Sequence, residues 1–336
     1  MKELAYSING RCVLILGAGD GESSIIRQYR EELRLFTFLP RPIRGILASL
    51  LVICNTVFWC IPLYLFAFLR FVGPASAEPW CTRRAMNFAE LWIDCNNLCF
   101  GLFKKLDIDV QGGEDLSRAK WYLVFCNHQT WVDIVILQRV FNRKIPMLKF
   151  FIKQQLIYIP VIGIAWWALD FPIMKRYTRE FLKKHPKLKG KDLDATRQAC
   201  EKFKLTPVSI LNFIEGTRYT PAKRHSQNSP HKHLLKPKGG GAALVINSLG
   251  DKLDCILNVT IHYPDGAPGF FEFLCGHTER ATVTIERLPV PVDNAGAGSE
   301  SSTTLKKDFR EWINGVWEEK DQQLEEMGAK YIHPPG

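Results

Sequence analysis

The stretch Trp121-Tyr122-Leu123-Val124-Phe125-Cys126, followed at once by Asn127-His128-Gln129-Thr130-Trp131-Val132-Asp133, decides how the rest of the chain is read. The apolar run reads as a buried strand. A histidine, four residues and then an aspartate, directly after a strand, is the pattern of a general base with an orienting carboxylate. Residues five apart lie on different faces of a regular helix. The two side chains therefore meet only if the chain turns after the strand, with His128 in the turn and Asp133 in the first coils of a following helix. That arrangement puts an imidazole at the end of a sheet, where open α/β folds bind ligands. The alternative is a buried histidine beside an unrelated helix-capping aspartate, and a short motif alone does not separate the two.

A second apolar strand, residues 208–214, releases Glu215-Gly216-Thr217-Arg218 at its end in the same way. Glycine permits close approach of backbone to a ligand, and arginine offers a planar fork for phosphate oxygens. A plain surface Glu–Arg turn is the competing reading. Residues 106–110 alternate like an edge strand, residues 255–262 read as another strand, and residues 270–274 and 281–288 as closing strands. Residues 242–249 and 194–204 read as helices, and Leu305, Phe309, Trp312, Ile313 and Val316 form one face of a C-terminal amphipathic helix. The fold class expected is α/β, a mixed central sheet flanked by helices. A loop carrying Lys223, Arg224, His225, His231 and His233 lacks regular metal-ligand spacing and reads as a mobile basic loop.

Towards the N-terminus, residues 45–69 (GILASLLVICNTVFWCIPLYLFAFL) contain no charged side chain. A run of this length suffices for a bilayer core, which needs about 20 residues. Arg41, Arg44 and Arg70 flank it, Pro62 interrupts it and Asn55 is polar within it. Basic flanks on both sides fit a crossing helix or a bent helix pair dipping into one leaflet; a buried core helix is the weaker alternative. Residues 86–103 follow as an amphipathic helix. Residues 155–174 are again apolar but broken by Pro160, Gly163 and Asp170, so they read as a bent segment against the membrane or lining an acyl-chain groove, or as ordinary core. In Val13-Leu14-Ile15-Leu16 and Gly17-Ala18-Gly19-Asp20-Gly21 the third glycine of a dinucleotide fingerprint is missing.

The 336 residues are 46% hydrophobic and 23% charged, a globular composition long enough for a sizeable core. The net charge of +10 favours anionic partners such as nucleic acid, a membrane surface or phosphorylated small molecules. Ten cysteines without a C-x-x-C pair argue against a zinc site or disulfide scaffold and for buried thiols in a reducing compartment. The first residues lack the pattern of a cleaved leader. The chain divides into an unassigned extension (1–38), a membrane-anchoring helical region (39–104), an α/β domain (105–290), and a linker with a C-terminal amphipathic helix (291–336).

In order along the chain stand Asn127-His128 with Asp133, residues 171–176, Glu215-Gly216-Thr217-Arg218, and Lys236-Pro237 before a later strand. Together they resemble the glycerophospholipid acyltransferase family, membrane enzymes that acylate 1-acyl-glycerol-3-phosphate and related lysophospholipids. The stretches 233–241 and 256–264 resemble most the lysocardiolipin and lysophosphatidylinositol acyltransferase-like branch. One departure concerns the family's fourth block, which usually holds a proline where this chain has Cys255-Ile256-Leu257-Asn258-Val259. The resemblance implies that His128 takes a proton from a lysophospholipid hydroxyl while Asp133 fixes its tautomer. It further implies that the oxygen attacks the thioester of acyl-CoA or acyl carrier protein, with backbone amides of the first helical turn holding the oxyanion. Arg176 and Arg218 would bind the acceptor phosphate, with Glu215, Gly216 and Thr217 shaping that pocket. It implies no metal, no cofactor beyond the acyl donor and no nucleic acid. Membrane lipids are the implied partners, with the catalytic domain on the cytoplasmic face of a membrane. A hydrolase, for which no G-x-S-x-G elbow is present, and a non-catalytic lipid-binding protein are the other classes.

Overall fold

The computed structural model describes residues 5–8, 11–14, 35–174, 200–291 and 302–332. Strands β1 (Ala5–Ile8) and β2 (Arg11–Leu14) pair with each other as an antiparallel hairpin. Helices α1 (Arg41–Val72) and α2 (Glu78–Phe103) follow, then β3 (Asp107–Gly112), β4 (Trp121–Cys126), α3 (Val132–Phe141) and β5 (Leu148–Phe150). After β6 (Ile152–Lys153), α4 (Ile162–Ala168) and β7 (Ile173–Met174) come β8 (Ser209–Phe213), α5 (Pro221–Ser226) and α6 (Gly240–Leu249). Strand β9 (Leu253–His262), α7 (Phe270–Cys275), β10 (Arg280–Leu288) and α8 (Ser302–Ile332) complete the described chain.

Six strands form one mixed sheet in the order β3-β10-β9-β4-β8-β5. Only β9 and β10 run antiparallel; β4 is parallel to both of its neighbours, β8 and β9. The pleat sends alternate residues of β4 to opposite faces. Tyr122, Val124 and Cys126 join the core beneath α2 and α3, with Phe100, Phe103, Ile136 and Val140. Leu123 and Phe125 join the core beneath α6 and α8, with Val245, Leu249, Val316 and Trp317. A strand buried on both faces is uniformly apolar, which is why β4 shows no alternation in its sequence. The loops after β4 and β8 leave at the same edge, since the two strands are parallel and in register from Tyr122↔Ser209 to Cys126↔Phe213.

Helices α1 and α2 form a hairpin. Pairings of Arg44 with Phe103, Asn55 with Trp92 and Asn96, and Phe66 with Trp80 run antiparallel along it. Helix α1 has 32 residues, or about 48 Å at 1.5 Å per residue. It is long and apolar enough to cross a membrane, and only 17% of its apolar window is buried. Three polar side chains in its apolar run are satisfied within the hairpin, as a lipid environment demands. Ser49 and Thr56 hydroxyls donate to the carbonyls of Gly45 and Val52, and the Asn55 amide donates to Trp92 O and Asn96 Oδ1. Both ends of α1 touch the α/β domain. Gly45 lies against Cys275 and Phe271 of α7, and the Arg70 guanidinium holds both oxygens of Asp170 at 2.6 and 3.1 Å.

Helix α1 continues through Pro62, losing one backbone donor, and the chain reverses at Gly73 to Ala77. Two expectations change. Residues 270–274 are helical rather than a strand. Glu272 Oε2 accepts the Gly269 N–H at 2.7 Å, and Gly276 closes α7 at φ +81°. The basic loop is not loose: Pro221–Ser226 is a helical turn capped by Thr220, and Lys232 and His233 dock on α8. The glycine loop at 17–21, the lysines at 183–191 and most of the linker at 291–302 lie outside the described residues, as do residues 194–199 of the expected helix, which is helical from Cys200 to Phe203.

Candidate active site

The turn after β4 is held from three sides. The Asn127 side chain bonds Ile261 of neighbouring β9 twice, donating to its carbonyl and accepting from its N–H, both at 2.9 Å. The His128 carbonyl accepts the Tyr219 N–H at 2.7 Å. The His128 N–H donates to Glu215 Oε1 at 3.1 Å. His128 and Asp133 thus meet across a turn, with His128 Nδ1 2.9 Å from Asp133 Oδ2.

Asp133 is wholly buried and accepts from every direction. Its Oδ2 also takes the N–H groups of Gln129 at 2.7 Å and Thr130 at 2.9 Å, and its Oδ1 takes the Tyr263 hydroxyl at 2.8 Å. With three N–H and O–H donors already on its two oxygens, an ionised carboxylate offers the imidazole only a further acceptor site. His128 Nδ1 therefore carries the hydrogen, and Nε2 is left as the acceptor that a general base needs. Burial, followed by the nearby Asp133 carboxylate, pushes the Tyr263 hydroxyl well above its ordinary range, so it stays a donor. The imidazole lies flat on Phe213, the last residue of β8, with ring centroids 3.9 Å apart and planes 15° apart. The side chain of His128 retains 13% exposure.

Glu215 is buried and bridges two segments: Oε1 accepts from His128 and Oε2 from the Leu235 N–H at 2.9 Å. Burial pushes its carboxyl up to about 7. Gly216 adopts φ +71°, the left-handed turn that an L side chain resists. Lys223 Nζ donates to Thr217 Oγ1 and to the Arg218 carbonyl, both at 2.9 Å. The Arg218 guanidinium lies 5.0 Å from the Trp131 ring centroid, at the start of α3. Two cations thus stand beside the histidine turn. Arg176 lies outside the described residues.

Three amides of the turn that precedes α3 are already engaged. Those of Gln129 and Thr130 are committed to Asp133, and that of His128 to Glu215. Sequence reading also missed Tyr263 and Phe213. Their signal lies in register: Phe213 pairs with Cys126 across β4 and β8, and Tyr263 follows β9, which lies on the other side of β4.

Beside the turn opens a cavity of about 480 Å³, within the size range of small-molecule pockets. Trp131, Ile134 and Val135 of the α3 region form one wall, Thr56, Trp59 and Cys60 of α1 another. The segment at 155–174 closes it with Leu156, Trp166 and Phe171, so its bends serve a groove. They are a 3-10 turn (Gln154–Tyr158), α4 and β7.

Residues 107–262 match the family model described as Acyltransferase. A relative named "Probable 1-acyl-sn-glycerol-3-phosphate acyltransferase 5" of Arabidopsis thaliana is 25% identical over 303 residues, covering 86% of this chain and 74% of that one. "Lysocardiolipin acyltransferase 1" of Gallus gallus is 24% identical, covering 76% of this chain and 65% of that one. The crystal structure of the 1-acyl-sn-glycerophosphate acyltransferase PlsC from Thermotoga maritima superposes with a TM-score of 0.51 at 20% identity, over 86% of this chain and 98% of that one. That likeness is one of fold.

Proposed function

We propose, from the match of residues 107–262 to the acyltransferase family model, that the protein is an O-acyltransferase that moves a fatty acyl group from a thioester to the free hydroxyl of a lysophospholipid, 1-acyl-glycerol-3-phosphate foremost. The observation carrying this reading is the His128–Asp133 pair: Nδ1 stands 2.9 Å from a buried Asp133 that accepts three further donors, beside a turn whose Trp131 both meets Arg218 and lines an apolar cavity. Nε2 takes the proton of the acceptor hydroxyl as its oxygen attacks the thioester carbonyl. The carbon–sulfur bond breaks, and the imidazolium returns the proton to the departing thiolate. Asp133 stabilises the imidazolium without itself taking the proton. Arg218 and Lys223 attract the acceptor phosphate. The cavity holds an acyl chain away from water.

Membrane docking is part of the same reading. Both ends of α1 meet one domain, which favours a hairpin lying in one leaflet over a crossing helix. The donor is acyl-CoA or acyl carrier protein, and the docked face is the cytoplasmic one.

Purified protein, a labelled acyl donor of each kind and a panel of lysophospholipids provide the test. Acyl transfer to lysophosphatidic acid above the others is expected. Preference for another headgroup, lysocardiolipin included, moves the acceptor; release of free fatty acid alone, or binding without turnover, removes the transferase reading.

A further inference from the structure

Helix α8 lies outside residues 107–262, yet it reaches the centre of the site by two routes. Its buried stripe runs Ile313, Val316, Trp317, Lys320, Leu324, the spacing of a single helix face. A lysine on that stripe is costly unless its ammonium is hydrogen-bonded. Lys320 Nζ donates to the Val259 carbonyl at 2.6 Å and to Thr260 Oγ1 at 2.9 Å. Val259 is the register partner of Cys126, the residue that ends β4 just before the histidine turn.

The second route starts one residue later. The Asp321 carboxylate accepts the N–H groups of Lys232 and His233, both at 2.7 Å. Two residues on, Leu235 donates its N–H to Glu215 Oε2, and Glu215 Oε1 holds the His128 N–H. The Glu325 pairs with Lys232 and His233 are exposed and contribute little. The Asp321 clamp on two backbone donors is the element that fixes this segment.

We propose that α8 is a working part of the active site, with Asp321 and Lys320 as positioning residues that hold the Glu215 carboxylate against the backbone of His128. The catalytic meaning of this inference rests on the acyl-transfer reading; the geometry does not. The charged and titratable groups that act on Glu215 electrostatically are Asp133 and Cys126 beside β4 and Lys320 of α8. Burial dominates its ionisation and raises it; the Leu235 and His128 N–H groups lower it, Asp133 raises it and Lys320 lowers it. Both contributions of α8 thus favour the ionised form, which accepts both backbone donors.

The test titrates the Glu215 carboxyl by infrared difference spectroscopy on the full chain, its band assigned by its loss in Glu215→Gln. Asp321→Asn, which keeps one acceptor oxygen, and Lys320→Met are each expected to raise the titration midpoint by about half to one unit. Lys320→Arg, which keeps the charge, should stay near the wild-type value. The acidic limb of kcat/KM for acyl transfer should move with the carboxyl. Folded Asp321→Asn and Lys320→Met proteins with an unmoved midpoint overturn the proposal, and failure of one variant to fold leaves the other to decide it. Absence of acyl transfer in the wild type would end the proposed function, while the carboxyl midpoints still judge the role of α8.

Discussion

The turn that carries His128 is held by backbone bonds to Tyr219 and Glu215 and by the Asn127 side chain, none of which uses the imidazole, so its removal should leave the turn intact. His128→Ala is expected to fold normally and to lose at least about a hundredfold in turnover, the scale of acid–base catalysis; near-normal turnover by the purified variant would show that another group is the base. Arg218→Ala should raise the acceptor KM through loss of a phosphate partner, with the donor KM unchanged. An unaltered acceptor KM and rate would leave Arg218 as a mere cover on Trp131. Glu215 carries a pH signature. Its carboxyl is raised from 4.5 to about 7, chiefly by burial, so the folded protein binds its proton more tightly than the unfolded chain. That contribution is fully present below 4.5 and is lost as pH rises through about 7, amounting to about 3 kcal/mol. Thermal midpoints of wild type minus Glu215→Gln should therefore fall between pH 5 and 8; a flat difference contradicts the shift. His128, Asp133 and Glu215 were legible in the sequence because a strand and the turn after it are local. Tyr263, Phe213 and Asp321 were not, because strand register and the docking of a distant helix bring them in.

At the scale of elements, the strands at the centre of the sheet were readable from unbroken apolar runs, whereas α7 was not. Phe270-Phe271-Glu272-Phe273-Leu274 is too short for periodicity to discriminate; a glutamate bonding back to Gly269 and a left-handed Gly276 make it a helix. Helix α1 was legible as apolar and long, but its path was not, because Pro62 costs a donor without compelling a turn. The cavity joins α1 to α3, and Val135 lines it one turn beyond Trp131. Val135→Trp should fill part of that volume and shift preference towards shorter acyl donors, leaving the acceptor KM in place. Competition between long and short labelled donors checks this, and an unchanged preference would mean the acyl chain lies elsewhere.

For the whole molecule, the two ends of α1 resting on one domain make a topological statement. Phe38 and Phe71, 79% and 81% exposed, lie at opposite ends of that helix. In a background cleared of other reactive thiols, Phe38→Cys and Phe71→Cys in sealed vesicles should both react with an impermeant maleimide from the side that carries the α/β domain. Reaction of the two from opposite sides would mean that the helix crosses. The cavity has a further consequence, because α1 and the sheet domain each supply only part of its wall. A shortened form beginning near Asp107 would keep the histidine, the aspartate and their neighbours in the sheet, yet its groove would stand open on one flank. Water would then compete with the lipid alcohol for the activated thioester, and a trimmed enzyme prepared for convenience would squander its donor as free fatty acid.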